Sequence, residues 1–106
     1  MPTDVFEIEQ QQNAAAQACK LMKVLSNLDR LMILCQLTKG EKCVSALESM
    51  LGIAQPTLSQ QLTVLREEGL VATRRAGKHI FYQISSPRAI AVMEVLFAQF
   101  CEPQQQ

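Results

Sequence analysis

Neither sign of charge dominates this chain, which has 10 Lys and Arg against 10 Asp and Glu, and only one histidine, His79, is present. Each shortage excludes something. A balanced net charge argues against a uniformly basic nucleic-acid binder, so the distribution of charge must be read instead of its total. No run of 18 or more apolar residues occurs, which excludes a helical membrane span. The opening Met1-Pro2-Thr3-Asp4-Val5 lacks a basic region followed by an apolar stretch, so it does not read as a secretion signal. A cytoplasmic protein is the expectation. No internal repeat is visible, and 106 residues leave no room for a second core, so residues 1–106 are read as one domain.

What is present is an ordinary globular composition, 48% hydrophobic and 19% charged, which suffices for a core without disulfide staples. The four cysteines, Cys19, Cys35, Cys43 and Cys101, are therefore read as thiols in a reducing compartment. Their commonest fate is that of small buried apolar residues. A thiol enzyme needs a low-pKa cysteine beside a base. The single histidine lies in a basic segment far from any such arrangement, so no enzyme is expected.

Helical periodicity runs through most of the chain. Residues 4–25 carry Ala15, Ala18, Cys19, Met22 and Leu25 at helical spacing and predict one long helix. Residues 1–8 and 103–106 are expected to be flexible. Asn27 suits the N-cap of a second helix bearing Leu28, Leu31, Leu34, Cys35 and Leu37, which ends near Gly40. Val44, Leu47, Met50 and Leu51 mark a third, broken by Gly52. A fourth follows, with Pro56 in its first turn and Leu58, Leu62 and Leu65 as its buried row. After Gly69 the period changes: 71–75 and 79–84 are β-prone and flank Ala76-Gly77-Lys78, which predicts a hairpin. Ser85-Ser86-Pro87 caps a last helix with Ile90, Met93, Leu96, Phe97 and Phe100 on its apolar face. The fold class is α+β, mainly α: five helices and a β-hairpin.

Two features of this order point to DNA. The fourth helix exposes Gln55, Thr57, Ser59, Gln60, Gln61 and Thr63, short donors and acceptors able to pair with base edges, with no acid among them to repel phosphate. The bland reading of such a face is simple solvation. The segment 70–88 then carries Arg74, Arg75, Lys78 and Arg88 with His79 and no acid. Arg74, Arg75, Lys78 and His79 fall in the hairpin, where contacts to the DNA backbone position a protein and make its affinity salt-dependent. The bland reading there is an exposed turn with incidental charge. The two together, in this order, favour the DNA reading. One short recognition helix covers few base pairs, so a dimer reading two half-sites of an imperfect inverted repeat is expected. The first and last helices carry more apolar surface than so small a domain buries, which makes them the candidate interface.

At this point the chain resembles the ArsR/SmtB family of bacterial repressors. The carriers are Leu25-Ser26-Asn27-Leu28-Asp29-Arg30-Leu31, Gly52-Ile53-Ala54-Gln55-Pro56-Thr57-Leu58-Ser59-Gln60-Gln61-Leu62, Leu65-Arg66-Glu67-Glu68-Gly69-Leu70-Val71 and Arg74-Arg75-Ala76-Gly77-Lys78-His79-Ile80-Phe81-Tyr82. The resemblance covers nearly everything from Cys19 to Cys101. It implies a winged helix-turn-helix homodimer joined through the first and last helices and bound to double-stranded operator DNA, with no cofactor and no membrane.

The metal sites of the family are incomplete here. Its arsenic-sensing branch has a second thiol where this chain has Ser45, in Cys43-Val44-Ser45. Its zinc-sensing branch uses His and carboxylates on the last helix, whose interior here holds only Glu94. No metal site is therefore expected. The cysteines Leu34-Cys35-Gln36 and Phe100-Cys101-Glu102 instead resemble the sulfide- and redox-responsive branch. The resemblance implies that Cys35 and Cys101 are a sensing pair, bridged by reactive sulfur species or oxidants with release of DNA. The bland reading of Cys35 is core, since it shares a helix row with Leu28 and Leu31. Cys19 and Cys43 fall outside the pair, and the alternative they keep open is a thiolate-based Zn, Cd or Cu(I) repressor built on Cys43 with Cys19 or Cys101. A partner-binding module without DNA affinity is the remaining alternative.

Overall fold

The computed structural model describes residues 5–101, and the elements follow from the local chemistry. Helix α1 spans Val5–Leu25, α2 Leu28–Leu37, α3 Val44–Leu51, α4 Gln55–Glu67 and α5 Pro87–Leu96. Residues 5–8, expected to be flexible, form the first turn of α1, while 103–106 lie outside the described residues. Asn27 caps α2 as anticipated: its side-chain oxygen accepts from the Arg30 N–H at 3.0 Å. Ser86 does the same for α5 through the Ala89 N–H at 3.1 Å. Such a cap satisfies one orphan donor and is worth about 1 kcal/mol.

The turn between α3 and α4 needs Gly52, whose φ of 68° is left-handed and whose N–H returns to the Glu48 carbonyl. A side chain there would be strained, so α3 stops where the sequence places glycine. Strands β2 (Val71–Ala76) and β3 (His79–Ile84) pair antiparallel, with Thr73 opposite Tyr82 and Arg74 opposite Phe81. Gly77, at φ 63°, takes the first position of their two-residue turn, where a positive φ lets the strands keep their twist.

Two elements were not anticipated. A two-residue strand, β1 (Lys42–Cys43), joins the far edge of β3, giving the sheet order β1-β3-β2 with Cys43 opposite Phe81. Two residues carry no alternating pattern to detect. The last turn, Phe97–Cys101, is a π-helix instead of a continuation of α5.

The core lies where α2, α3, α4, α5 and the root of β2 meet. Ile33, Leu34, Leu47, Leu58, Leu65 and Ala89 are fully buried, with Leu62, Val71 and Met93 nearly so. The expected row of α4 is thus its buried row. Each such aliphatic side chain contributes roughly 1.5–3 kcal/mol by leaving water. Helix α1 is the exception, because only Val24 and Leu25 at its end are buried. The expected apolar face of α5 is also only partly covered: Met93 is buried, whereas Phe100 is 80% exposed. No helix among the described residues is long and apolar enough to cross a membrane.

Candidate nucleic-acid interface and dithiol cleft

Burying Leu58, Leu62 and Leu65 turns the opposite face of α4 outward. Gln55, Thr57, Ser59, Gln60 and Thr63 are exposed there, as the sequence predicts. Thr63 donates its hydroxyl to the Ser59 carbonyl at 2.9 Å, which leaves its methyl as the outward chemistry. Gln61 differs from its neighbours. It is half-buried, and its side-chain oxygen accepts from an Arg30 guanidinium N–H at 2.8 Å.

The hairpin exposes Arg75, Lys78 and His79. Arg74 is exposed but engaged: its Nε donates to both Glu41 carboxylate oxygens at 3.0 Å, and a second guanidinium nitrogen completes the ion pair. Its guanidinium also stands 4.9 Å from the centroid of the Phe81 ring, which lies opposite on β3. The Arg74 hydrogen bonds hold the Glu41 carboxyl below the usual carboxylate range and raise the arginine further. His79 packs edge-on against the same ring, 6.2 Å between centroids. Phe81 thus packs against both residues, midway along the hairpin and next to its turn. Arg88, counted in the basic segment, lies on α5 and donates to Gln17 of α1 at 3.2 Å, apart from the hairpin.

The cysteines fall into distinct settings, and none is disulfide-bonded. Cys35 on α2 and Cys101 in the π-turn line one open cleft of about 270 Å³. Its other walls are Leu28, Leu31, Met32, Met93, Leu96, Phe97 and Phe100, all apolar. Burial raises the Cys35 pKa above the ordinary thiol value, the nearby Cys101 raises it further, and Lys39 opposes both. Cys35 is half-buried at the edge of the core, between the buried fate its helix row suggests and full exposure. Leu28, assigned to the same row, is 74% exposed.

Cys43 stands elsewhere, at the N-cap of α3 and beside the hairpin. Its sulfur lies 3.3 Å from the Ser45 hydroxyl. That hydrogen bond and the N–H groups of the first turn lower its pKa. Cys19 is exposed on α1. Among the described residues no cluster of three or more His, Cys, Asp or Glu side chains forms that would hold a metal ion. Two tertiary contacts, Arg30 with Gln61 and Glu41 with Arg74, have no direct sign in the sequence. One partial signal existed: Gln61 stands three residues after Leu58 and four before Leu65, at the margin of the buried stripe.

The profile described as "Bacterial regulatory protein, arsR family" matches residues 28–73, which span α2 to the start of the hairpin. The biofilm growth-associated repressor of Agrobacterium fabrum is 45% identical over 98% of this chain and 91% of its own length. Among solved structures, the transcriptional repressor BigR from Xylella fastidiosa superimposes with a TM-score of 0.82 at 45% identity, covering 92% of this chain and 97% of that one. Reduced HlyU from Vibrio cholerae superimposes with a TM-score of 0.85 at 38% identity, covering 89% and 99%. These relatives are transcriptional regulators, not enzymes. The winged helix-turn-helix described above, matched in sequence from end to end, belongs to the arsR family of bacterial regulatory proteins.

Proposed function

We propose that this chain is a cytoplasmic, homodimeric repressor that binds operator DNA and releases it when Cys35 and Cys101 are bridged. The observation that carries the sensing half is their placement: two cysteines from the second helix and the last turn share one apolar cleft. The relatives support the repressor half, since two of them are named as repressors. The HlyU structure from Vibrio cholerae is of the reduced protein.

In the DNA-bound form, Gln55, Thr57, Ser59 and Gln60 meet base edges in the major groove, and the Thr63 methyl adds an apolar contact. Arg75, Lys78 and His79 run along the phosphates. Gln61 and Arg74 serve the same interface from within, held by Arg30 and Glu41. Dimerisation through α1 and α5 sets the spacing of the two recognition helices. The exposed Phe6, Met22 and Val95 support that interface, because a 21-residue helix with two buried residues is marginal alone.

The sensing chemistry needs no cofactor. The thiolate of Cys101, the more exposed of the pair, attacks the terminal sulfur of a persulfide RSSH, giving a Cys101 persulfide and releasing the thiolate RS⁻. The Cys35 thiolate then attacks the inner sulfur of that persulfide, forming the Cys35–Cys101 disulfide and expelling HS⁻. In sum, RSSH and two thiols give one disulfide, RSH and H₂S, so the incoming sulfane sulfur is the oxidant. Attack through longer sulfur chains leaves extra sulfur in the bridge.

The test treats reduced protein with an organic persulfide and reads intact mass beside affinity for promoter DNA. A bridge mapped to Cys35 and Cys101 with DNA released supports the proposal. Unchanged mass and unchanged affinity sink it. Release by Zn, Cd or Cu(I), reversed by a chelator, would establish the metal-responsive reading in its place.

A further inference from the structure

Arg30 makes three contacts that tie separate parts of the molecule together. Its backbone N–H is capped by Asn27, its Nε donates to the Val24 carbonyl at 2.6 Å, and a terminal nitrogen donates to Gln61 at 2.8 Å. Val24 is in the last turn of α1, and Gln61 is at the middle of α4. The planar guanidinium therefore spans the end of one helix and the flank of another, from a position five residues before Cys35 on α2. Both ends are half-buried, so this contact is shielded in a way that an exposed pair is not.

We propose that Arg30 is a positioning residue for DNA binding. It fixes recognition helix α4 against the end of α1 through Gln61, and α2 transmits a change at Cys35 to α4 through it. Gln61 is then a strut partner and not a base reader. The transmission half rests on the dithiol reading above, whereas the strut half does not. Its physical basis is that α2 is one rigid ten-residue helix carrying a cleft thiol on one turn and the strut on another. A bridge that draws Cys35 toward the π-turn must displace Arg30 with it. The guanidinium fork cannot follow both Val24 and Gln61 when the helix between them moves.

The experiment is a double-mutant cycle on operator binding by the reduced full chain, with Arg30→Ala, Gln61→Ala, their combination and Arg30→Lys. Each alanine is expected to weaken binding about tenfold, the worth of one charge-assisted hydrogen bond, and the double variant no more than the worse single. Gln61→Ala is expected to lose affinity equally for operators altered at each base pair. Arg30→Lys keeps the charge but not the fork, so it should weaken binding as alanine does. Thermal melts identify any variant that has merely unfolded. Multiplying single effects, a Gln61→Ala loss confined to one base pair, or full activity in Arg30→Lys overturns the strut.

The same proteins are then measured after persulfide treatment. The ratio of reduced to treated affinity should fall toward one in Arg30→Ala if the strut transmits. An unchanged ratio in that variant, with the wild type released, overturns the transmission. A wild type that is not released refutes the dithiol reading and the transmission with it, while the cycle still decides the strut.

Discussion

Cys35 and Cys43 are the same residue tuned in opposite directions. Burial and the neighbouring Cys101 disfavour the Cys35 thiolate, whereas the Ser45 hydroxyl and the backbone of α3 favour the Cys43 thiolate. An ordinary cysteine titrates at about 8.5. Rates of alkylation, followed residue by residue through peptide masses, should therefore plateau at lower pH for Cys43 and at higher pH for Cys35. Cys101→Ser should move the Cys35 midpoint downward, while burial still holds it above the ordinary value. A midpoint that does not move would mean that the two thiols do not sense one another. Since folding holds the proton on Cys35 more tightly, the stability it lends is whole below the ordinary thiol range. It is lost as the pH rises through the raised value. Little of this was legible in the sequence. Helix period places Cys35 with Leu31 and Leu28, and only tertiary packing leaves Leu28 outside and brings Cys101 alongside. Gln61 was nearer to legible, being flanked by Leu58, Leu62 and Leu65 on the buried stripe.

At the scale of elements, helices were read well because their signals are local: a capping Asn27, a stopping Gly52, a leucine row on α4. The hairpin was read for the same reason, its turn being fixed by Gly77. What escaped was how the hairpin is held. Strand β1 gains its identity only from its partner β3, and the Glu41–Arg74 pair joins positions 33 residues apart. That pair has a pH signature. Arg74 lowers the Glu41 carboxyl pKa in the folded state, so the stability it lends is present above the ordinary carboxylate range. It is lost as the pH falls through the lowered value. Urea midpoints of wild type and Glu41→Gln should accordingly differ at neutral pH and converge in acid, with the variant the weaker. A gap that persists below that range would assign the effect to the acceptor oxygen that the amide lacks and not to the Glu41 charge.

The whole molecule is more extended than one protomer of its size needs to be. Its Cα radius of gyration is 16.6 Å, against about 13 Å for a compact chain of 100 residues. The excess has a location, since α1 buries only its last two residues and Phe6, Met22 and Val95 stay exposed. The apolar excess of the first and last helices was legible in the sequence, but not which side chains would be left outside. In the proposed homodimer a second copy laid along α1 and α5 would cover them, which would make DNA binding a property of the pair. Replacing Met22 and Val95 with lysine should give monomers in sedimentation while the melting transition stays cooperative. Salt dependence then separates the protomers from the pair. Each phosphate contact steepens log affinity against log salt by roughly 0.9, so Lys78→Gln should lower the slope by about 1.8 in a dimer. In the monomeric variant the same substitution should lower it by only about 0.9. Sequence preference should not change with Lys78, because a phosphate contact carries no base information. Equal losses of slope in both backgrounds would mean that one hairpin alone meets DNA, and the two-half-site arrangement would have to be given up.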